Sequence, residues 1–235
     1  MFVRIYNRFA SLNLGLWLTF GVLFFLGVGS FVNGGEEGGA INDMPLLAWL
    51  RLAPPAVSWW LWVTLVLLAL LVVNTLLCSV ESLRMKWQRG SFLIRIAPQV
   101  MHAGFLLIVL AHLFSARGSF KEPVQVTEGM TIGFPDGSGV RVEKITAVMG
   151  MRGMVTDYEA RVRSVGTAEE RTAILRPNHP FFHQGFGLYL KQAEPYPVPN
   201  AYLEVHREPG AGIALAGALL FTLGNVVLLA VRRGR

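Results

Sequence analysis

The chain contains 235 residues, of which 53% are hydrophobic and only 15% are charged. Its mean hydropathy of +0.47 excludes an ordinary soluble domain and is typical of a membrane protein. The net charge of +6 would also suit a nucleic-acid-binding protein, but the distribution of the basic residues along the chain favours another explanation.

Four apolar stretches are long enough to cross a bilayer, which requires roughly 20 residues for about 30 Å of hydrocarbon. They lie at residues 13–32, 57–79, 97–116 and 211–231. The sequence therefore predicts an integral membrane α-helical protein with four transmembrane helices. Its predicted domains are residues 1–116 with three spans, the polar residues 117–210, and residues 211–235 with the fourth span and a basic tail.

The basic residues alternate with the predicted spans. The two tails and the loop between the second and third spans together carry +8, from Arg4, Arg8, Arg84, Lys86, Arg89, Arg95, Arg232, Arg233 and Arg235 with Glu81. The loop after the first span carries −2, and residues 117–210 carry no net charge. Because cytoplasmic segments are enriched in Lys and Arg, we expect both termini in the cytoplasm and the polar block on the outer side of the membrane.

The polar block is predicted to be rich in β-strands. Segments with alternating or β-branched character are separated by glycine, proline and aspartate turn signals, and they lie at residues 124–132, 139–148, 156–165, 186–193 and 201–208. The clearest turn is FPDGSG at 134–139. No helical pattern separates the strands, which favours an antiparallel sheet or small sandwich. This β-rich domain is extracytoplasmic and is inserted between the third and fourth helices.

Two tryptophan-bearing segments are assigned to the outer side of the membrane. Residues 44–52, MPLLAWLRL, suit either a segment that lies at the interface or a hydrophobic loop that packs on the spans. The sequence WWLW at 59–62 is interpreted as part of an aromatic belt at the interface.

The single cysteine, Cys78, lies near the cytoplasmic end of the second span. The polar block therefore has no disulfide, and a thiol-exchange role based on a C-x-x-C pair is excluded for this chain acting alone. We expect Cys78 to be a packed, reduced thiol.

Two histidines, His102 and His112, lie in the third span, one in each leaflet. Their separation corresponds to about 15 Å along a helix and roughly 80° around it, so they cannot both bind one metal ion. Ionisable groups in spans are usually functional, and histidine is a common axial ligand of haem iron. No other span contains a histidine, so a bis-histidine haem would need its second ligand from another subunit. A hydrogen-bonded structural histidine and a proton relay are the alternatives, although the spans contain no deep carboxylate or amine to continue a relay.

Four segments, taken together, carry a resemblance to a known family. They are NTLLCSVESLR at 74–84, VMHAGFLLIVL at 100–110, LRPNHPFFHQGFGLYLKQ at 175–192 and YLEVHREPGAGIALAG at 202–217. In this order and topology they resemble the ResB (CcsB) family of System II cytochrome c biogenesis proteins. The resemblance covers most of the chain, including the order of the four spans and the position of the inserted domain.

This resemblance implies a component of the machinery that moves haem across the membrane and attaches it to apocytochrome c. It also implies a bacterial inner-membrane location, with the polar block on the periplasmic side. His102 matches the family histidine that is implicated in holding haem, which implies an axial ligand to the iron of haem b. A membrane partner of the CcsA (ResC) type is expected to supply a tryptophan-rich segment and further histidines, including the missing second ligand. The chain itself is then a scaffold and haem carrier, a non-catalytic subunit of a cytochrome c haem lyase complex.

The sequence departs from the family pattern at three histidines. His112 stands where a small residue is expected, and His179 and His183 stand where other polar or aromatic residues are more usual. These three histidines could form a second iron or haem site on the outer side, while simple turn and surface positions are an equal alternative for His179 and His183. His206, just before the fourth span, is assigned a structural role.

Two other functions stay open at this stage. A b-type cytochrome subunit that transfers electrons from quinol across the membrane would also need histidines in opposite leaflets. A structural or assembly protein would need them only as bridges between helices. Electron transfer requires both His102 and His112 to hold haem, whereas haem delivery depends on His102.

Overall fold

The computed structural model of the chain describes residues 2–32, 41, 44–86, 92–150, 155–167 and 169–233. The chain divides into two compact units. One comprises Met1–Arg117 and Gly210–Arg235 and is helical, and the other, Gly118–Pro209, is built from strands. The predicted fold class, four membrane helices with a β-rich domain inserted before the last one, is confirmed.

The described part of the first unit contains six α-helices: α1 (Phe2–Phe9), α2 (Leu12–Val32), α3 (Leu46–Leu52), α4 (Pro55–Lys86), α5 (Phe92–Gly118) and α6 (Ala211–Arg233). Of these, α2, α4, α5 and α6 are long and apolar enough to cross a membrane. The chain is therefore a multi-pass membrane protein.

Two of the spans belong to helices that are longer than predicted. The helix α4 continues to Lys86, past the predicted end of the span at residue 79. The helix α5 begins at Phe92, so Pro98 lies inside it rather than in its first turn. Hydropathy marks where apolar sequence ends, whereas the backbone hydrogen bonds of a helix continue into polar sequence, and this difference accounts for the extra turns.

The N-terminal helix α1, which the sequence pattern does not predict, is tied to α4 by two polar side chains. Tyr6 donates a hydrogen bond from its hydroxyl to Glu81 Oε2 over 3.1 Å. The side-chain amide of Asn74 donates to the carbonyl oxygens of Phe9 and Ser11 over 2.6 and 3.0 Å. Asn74 therefore satisfies carbonyl groups at the junction of α1 and α2, where helix ends leave them without an intrahelical partner.

Trp60 is the centre of a packed cluster in the helical unit. It is only 5% exposed, and its ring occupies the space that a side chain at Gly29 would need. Trp49, in α3, is 2% exposed and belongs to the same cluster, together with Leu50 and Leu61. This burial supports the second expectation for residues 44–52, a segment that packs on the spans.

The interpretation of residues 59–62 as an aromatic belt is therefore wrong for Trp60, because its ring is buried against protein. Trp59 and Trp62 are 43% and 52% exposed and keep the outward direction that a belt requires. At about 100° per residue, Trp59 and Trp62 point within about 60° of each other, whereas Trp60 points about 100° and 160° away from them and faces protein.

Three glycines seven residues apart pack on α5, one directly before α6 and two within it. A Cβ atom at Gly217 would lie 2.8 Å from the carbonyl oxygen of Gly104, which leaves no room for a side chain. This close approach of two backbones is typical of small-residue interfaces between membrane helices. The order of the contacts makes the two helices antiparallel. We call this interface the glycine seam, and it is formed by Gly210 on Ala111, Gly217 on Gly104 and Gly224 on Ala97.

The described part of the second unit contains eight strands: β1 (Phe120–Thr127), β2 (Thr131–Gly133), β3 (Gly139–Met149), β4 (Val155–Val165), β5 (Thr172–Leu175), β6 (Phe181–His183), β7 (Phe186–Glu194) and β8 (Asn200–Arg207). They form two four-stranded antiparallel sheets, in the orders β1-β8-β7-β6 and β2-β3-β4-β5. The inward-facing side chains of both sheets build one core, whose fully buried members include Val140, Val142, Val162, Leu175 and Leu188.

The predicted strand at 124–132 is wrong as a single element, because the two sheets divide it. The strand β1 pairs with β8, whereas β2 pairs with β3. The turn between them contains Gly129 at φ +86°, a backbone conformation that glycine adopts without steric cost. The strands β5 and β6, of four and three residues, are too short to show an alternating pattern and escape prediction.

Glu204, in β8, attracts basic side chains from both neighbouring strands. Its Oε1 lies 3.0 Å from Lys121 Nζ of β1, and its Oε2 lies 2.7 Å from Lys191 Nζ of β7. The hydrogen bond from Lys191 is the main cause that lowers the pKa of Glu204 to about 2, and Lys121 adds to it against the opposing effect of burial. His206 Nε2 lies 3.1 Å from the same carboxylate, which agrees with a structural role for that histidine.

We expect Gly104→Ala to destabilise the helical unit by about 1–3 kcal/mol, because overpacking forces backbone shifts. The added Cβ atom would lie 2.5 Å from Phe221 N and 2.6 Å from Gly217 O. Gly27→Ala in α2 is the matched control, since no atom lies within 4 Å of its Cβ position, and alanine favours a helix there. Thermal unfolding of the full chain in detergent measures both variants, and an unchanged melting temperature for Gly104→Ala would contradict the glycine seam.

We also expect Glu204→Gln to flatten the acid dependence of stability. Because the folded-state pKa is depressed, the stabilisation is fully present above the ordinary value of 4.5 and is lost as the pH falls through about 2. The two lysines are 42% and 55% exposed, so solvent screening limits the effect to about 1–2 kcal/mol. Urea unfolding at pH 3 and pH 6 measures the difference. Glu194→Gln, whose carboxylate accepts a hydrogen bond from the neutral Gln192, is the control and should keep the wild-type dependence.

Candidate functional site

His102 is half-buried on α5 and contacts α4. Its Nδ1 atom lies 2.7 Å from Ser79 Oγ. The Ser79 hydroxyl in turn donates to the carbonyl oxygen of Thr75, one turn earlier in α4, over 2.8 Å. A chain of hydrogen bonds thus joins the imidazole to the backbone of a neighbouring membrane helix.

The directions of these hydrogen bonds determine which nitrogen of His102 carries the proton. A hydroxyl has one proton, and in this structure Ser79 directs it at the carbonyl oxygen of Thr75 over 2.8 Å. The Nδ1 atom of His102 must then donate to Ser79 Oγ. In the neutral imidazole the unshared electron pair lies at Nε2, and a histidine held in this way is prepared to bind a metal through that atom.

The helix α5 presents opposite faces to its two neighbours. Gly104 and Ala111 face α6 in the glycine seam. At about 100° per residue, His102 points roughly 160° away from Gly104 and 180° away from Ala111. The helix α5 therefore contacts α6 through one face and α4 through the opposite face, which carries His102.

His112 has different surroundings, although it lies on the same helix. It is exposed on the surface of the helical unit, and its Nδ1 atom lies 2.8 Å from the carbonyl oxygen of Ile108 in its own helix. Since the carbonyl can only accept, Nδ1 carries the proton and Nε2 again holds the unshared pair. The hydrogen bond is internal to α5, so it does not bridge two helices as that of His102 does.

His183, at the end of β6, is buried in the second unit with 6% exposure. Its Nε2 atom lies 2.7 Å from Ser138 Oγ, and Ser138 donates from the same hydroxyl to Asp136 Oδ1 over 2.6 Å. The hydrogen bond from Ser138 lowers the pKa of Asp136. Because the one hydroxyl proton is directed at Asp136, His183 must donate from Nε2, and that atom is committed to the network.

His179, in contrast, is exposed in the turn between β5 and β6, where its backbone pairs with that of Arg176. Among the residues that the structure describes, no group of three His, Cys, Asp or Glu side chains is placed to hold a metal ion. A second iron site that involves His112, His179 and His183 stays a prediction.

The sequence does not predict two polar residues near His102, which are Ser79 and Gln99. Ser79 contacts the imidazole only because α4 packs on α5, and no sequence spacing reports that contact. Gln99 lies three residues before His102 and so on the same face of α5. Its Nε2 atom is buried and has no hydrogen-bond partner in the described part of the chain. The spacing Gln99-x-x-His102, with both residues inside a span, is the signal that could have identified it.

Comparison with known proteins finds a family match in the part of the chain that contains His102. Residues 88–197, which include α5 and the strands from β1 to β7, match the model of the ResB-like family. This match covers slightly less than half of the chain. The resemblance found in the sequence is thereby confirmed for this part of the chain.

One solved structure, titled "Cytochrome c Heme Lyase CcmF", is similar over 93% of this chain, with 16% sequence identity and a TM-score of 0.46. The chain spans only 34% of the length of that protein. No curated protein sequence matches the chain.

We expect nitrogen NMR of the histidine-labelled chain to find the neutral His102 ring protonated at Nδ1, because the Ser79 hydroxyl gives its one proton to the carbonyl oxygen of Thr75. Ser79→Ala should remove this constraint, so that both tautomers become populated. His102→Gln assigns the signal, and Ser82→Ala, one turn away on α4, is the control that should leave it unchanged. A wild-type ring that is protonated at Nε2 would contradict the hydrogen-bond directions.

Proposed function

We propose that the chain is the haem-carrying scaffold of a membrane complex that exports haem and attaches it to cytochrome c, and that His102 is an axial ligand of the haem iron. The observation that carries the proposal is the hydrogen bond between His102 Nδ1 and Ser79, which leaves Nε2 with its electron pair. The ResB-like domain, which includes His102, supports the same conclusion independently of that geometry.

The residues around His102 fit haem b as a cargo. The imidazole offers one nitrogen ligand, Ser79 orients the ring, and the buried amide of Gln99 is a donor without a partner among the described residues. The haem itself supplies an iron that binds axial nitrogen ligands and vinyl groups that can be attached to cysteine thiols. The role of this chain is to hold and orient the group, so we assign it as a non-catalytic subunit.

The second axial ligand comes from a partner in this proposal. The four predicted spans contain only two histidines, His102 and His112, and both lie on α5. Their separation along one rigid helix prevents both from binding the same iron. A membrane protein of the CcsA (ResC) type, with its own histidines and a tryptophan-rich segment, is the proposed partner. The sandwich of the second unit would bind that partner or the incoming apocytochrome c.

The orientation in the membrane follows from the charges. The two tails and the segment between α4 and α5 carry the excess of Lys and Arg, and such segments are retained in the cytoplasm. We therefore place both termini inside and the sandwich in the periplasm. His102 then lies in the cytoplasmic half of the bilayer, where haem enters, and His112 lies in the outer half, where its free Nε2 can receive haem on its way to the partner. His179 and His183 are proposed only as further contacts on that side.

The first test is cytochrome c maturation in cells that produce the chain together with its partner. We expect His102→Ala to lower the yield of matured cytochrome c at least about tenfold, as the loss of a metal-site residue commonly does. Added imidazole should restore part of the yield, because it can replace the missing ligand. Absorption spectra of the purified complex, oxidised and dithionite-reduced, should lose most of their haem signal in the same variant.

His112→Ala is the matched control on the same helix and separates haem delivery from electron transfer. Haem delivery predicts a smaller loss for His112→Ala than for His102→Ala, and a haem signal that needs the partner. Two stoichiometric b-type haems on the chain alone, both required for quinol oxidation, would overturn the proposal in favour of an electron-transfer subunit. A His102→Ala variant that only lowers stability and keeps its haem spectrum would support a structural histidine instead.

A further inference from the structure

A buried donor without a partner lies beside His102 and has no role in the proposed function as stated so far. The side-chain nitrogen of Gln99 is inaccessible to solvent and makes no hydrogen bond within the described residues. An unpaired buried amide costs about 1–3 kcal/mol, and in hydrocarbon no water can compensate for it. Such an atom is therefore most economically explained by a ligand that accepts its hydrogen bond.

The position of Gln99 relates it to the candidate ligand His102. Three residues place the two side chains about 4.5 Å apart along α5 and within about 60° of the same direction. Arg95, four residues before Gln99, continues this face toward the end of the span. We call His102, Gln99 and Arg95 the polar face of α5, and it lies on the side of the helix opposite the glycine seam.

The chemistry of this face is that of a site for an anion next to a metal ligand. His102 offers a nitrogen electron pair, Gln99 offers amide N–H groups, and Arg95 offers a guanidinium, which binds carboxylates with two parallel hydrogen bonds. A neutral acceptor would bind the amide alone, whereas a carboxylate can bind both the amide and the guanidinium. A ligand that combines an iron centre with carboxylates at one edge can therefore bind all three groups.

We propose that Gln99, with Arg95, binds a propionate carboxylate of the haem whose iron is ligated by His102. This inference rests on the proposed function and deepens it, because it assigns the orientation of the cargo. The propionate edge is directed toward the Arg95 end of α5, and the vinyl edge is directed toward the rest of the span. Arg95 and Gln99 are positioning residues, and they distinguish haem from an otherwise identical ring without carboxylates.

The experiment compares ferric haem with its dimethyl ester, in which both carboxylates are neutral. Each is titrated into the full chain co-purified with its partner, and the apparent dissociation constant is read from the absorption change. We expect the wild type to bind the free diacid about tenfold more tightly than the ester, since a hydrogen bond to a charged group is worth that much. Gln99→Leu should remove most of this preference by weakening the diacid only.

Two further variants keep the test specific. Gln99→Glu places a negative charge beside the propionate, so it should weaken the diacid more than Gln99→Leu does and leave the ester unchanged. Asn225→Leu is the control, because this other amide in a span donates within its own helix to the carbonyl oxygen of Phe221 over 2.8 Å. It should alter neither affinity.

The outcomes separate this inference from the function on which it rests. A His102-dependent haem signal with equal effects of Gln99→Leu on diacid and ester would overturn the propionate assignment and would leave the proposed function standing. The same conclusion follows if Gln99→Leu changes neither affinity. The absence of any His102-dependent signal, with either compound, overturns the proposed function and this inference together.

Discussion

A histidine in the interior of a membrane helix must have its N–H group satisfied by protein, and His102 meets this requirement through a contact with α4. The partner is a serine on α4 whose own proton is already directed at a backbone carbonyl of that helix. This arrangement does more than remove an unsatisfied donor. It selects one tautomer, orients the ring and leaves the second nitrogen with its electron pair. A structural bridge would need only the first of these effects, so the other two are what make His102 a candidate ligand.

The glycine seam explains how the face of α5 that carries His102 stays available. The helix packs on α6 through positions that have no side chain or a small one, at Ala97, Gly104 and Ala111. Backbone contact of this kind stabilises the helix pair without using the polar face. His102 and Gln99 therefore lie on a side of α5 that the glycine seam does not use.

The sequence predicts the features that depend on a local pattern of residues. It does not predict the features that depend on contacts between residues far apart in the chain. The four spans and the inserted strands follow from hydropathy and alternation. The rarity of ionisable groups in membranes makes His102 a candidate residue, and its role stays a prediction. The burial of Trp60, the division of residues 124–132 between two sheets and the role of Ser79 each depend on a partner far along the chain. The seven-residue repeat of Gly210, Gly217 and Gly224 is different, since it is visible in the sequence and its meaning only requires the partner helix to be known.

The two membrane histidines, His102 and His112, are each a single candidate ligand, and within the proposed function this suits a protein that must release its haem. In both rings Nδ1 makes the hydrogen bond and Nε2 keeps its electron pair. The ring of His102 is bound to a neighbouring helix, whereas that of His112 is bound only to its own helix. A chain that supplied both axial ligands to one iron would bind its haem without help from another subunit. A chain that supplies one ligand, on a helix face shared with a partner, makes the strength of binding depend on that partner. Within the proposed function, release of haem then requires only a change in the partner's position, and the rigid α4–α5 hydrogen bond keeps this half of the site ready for the next haem.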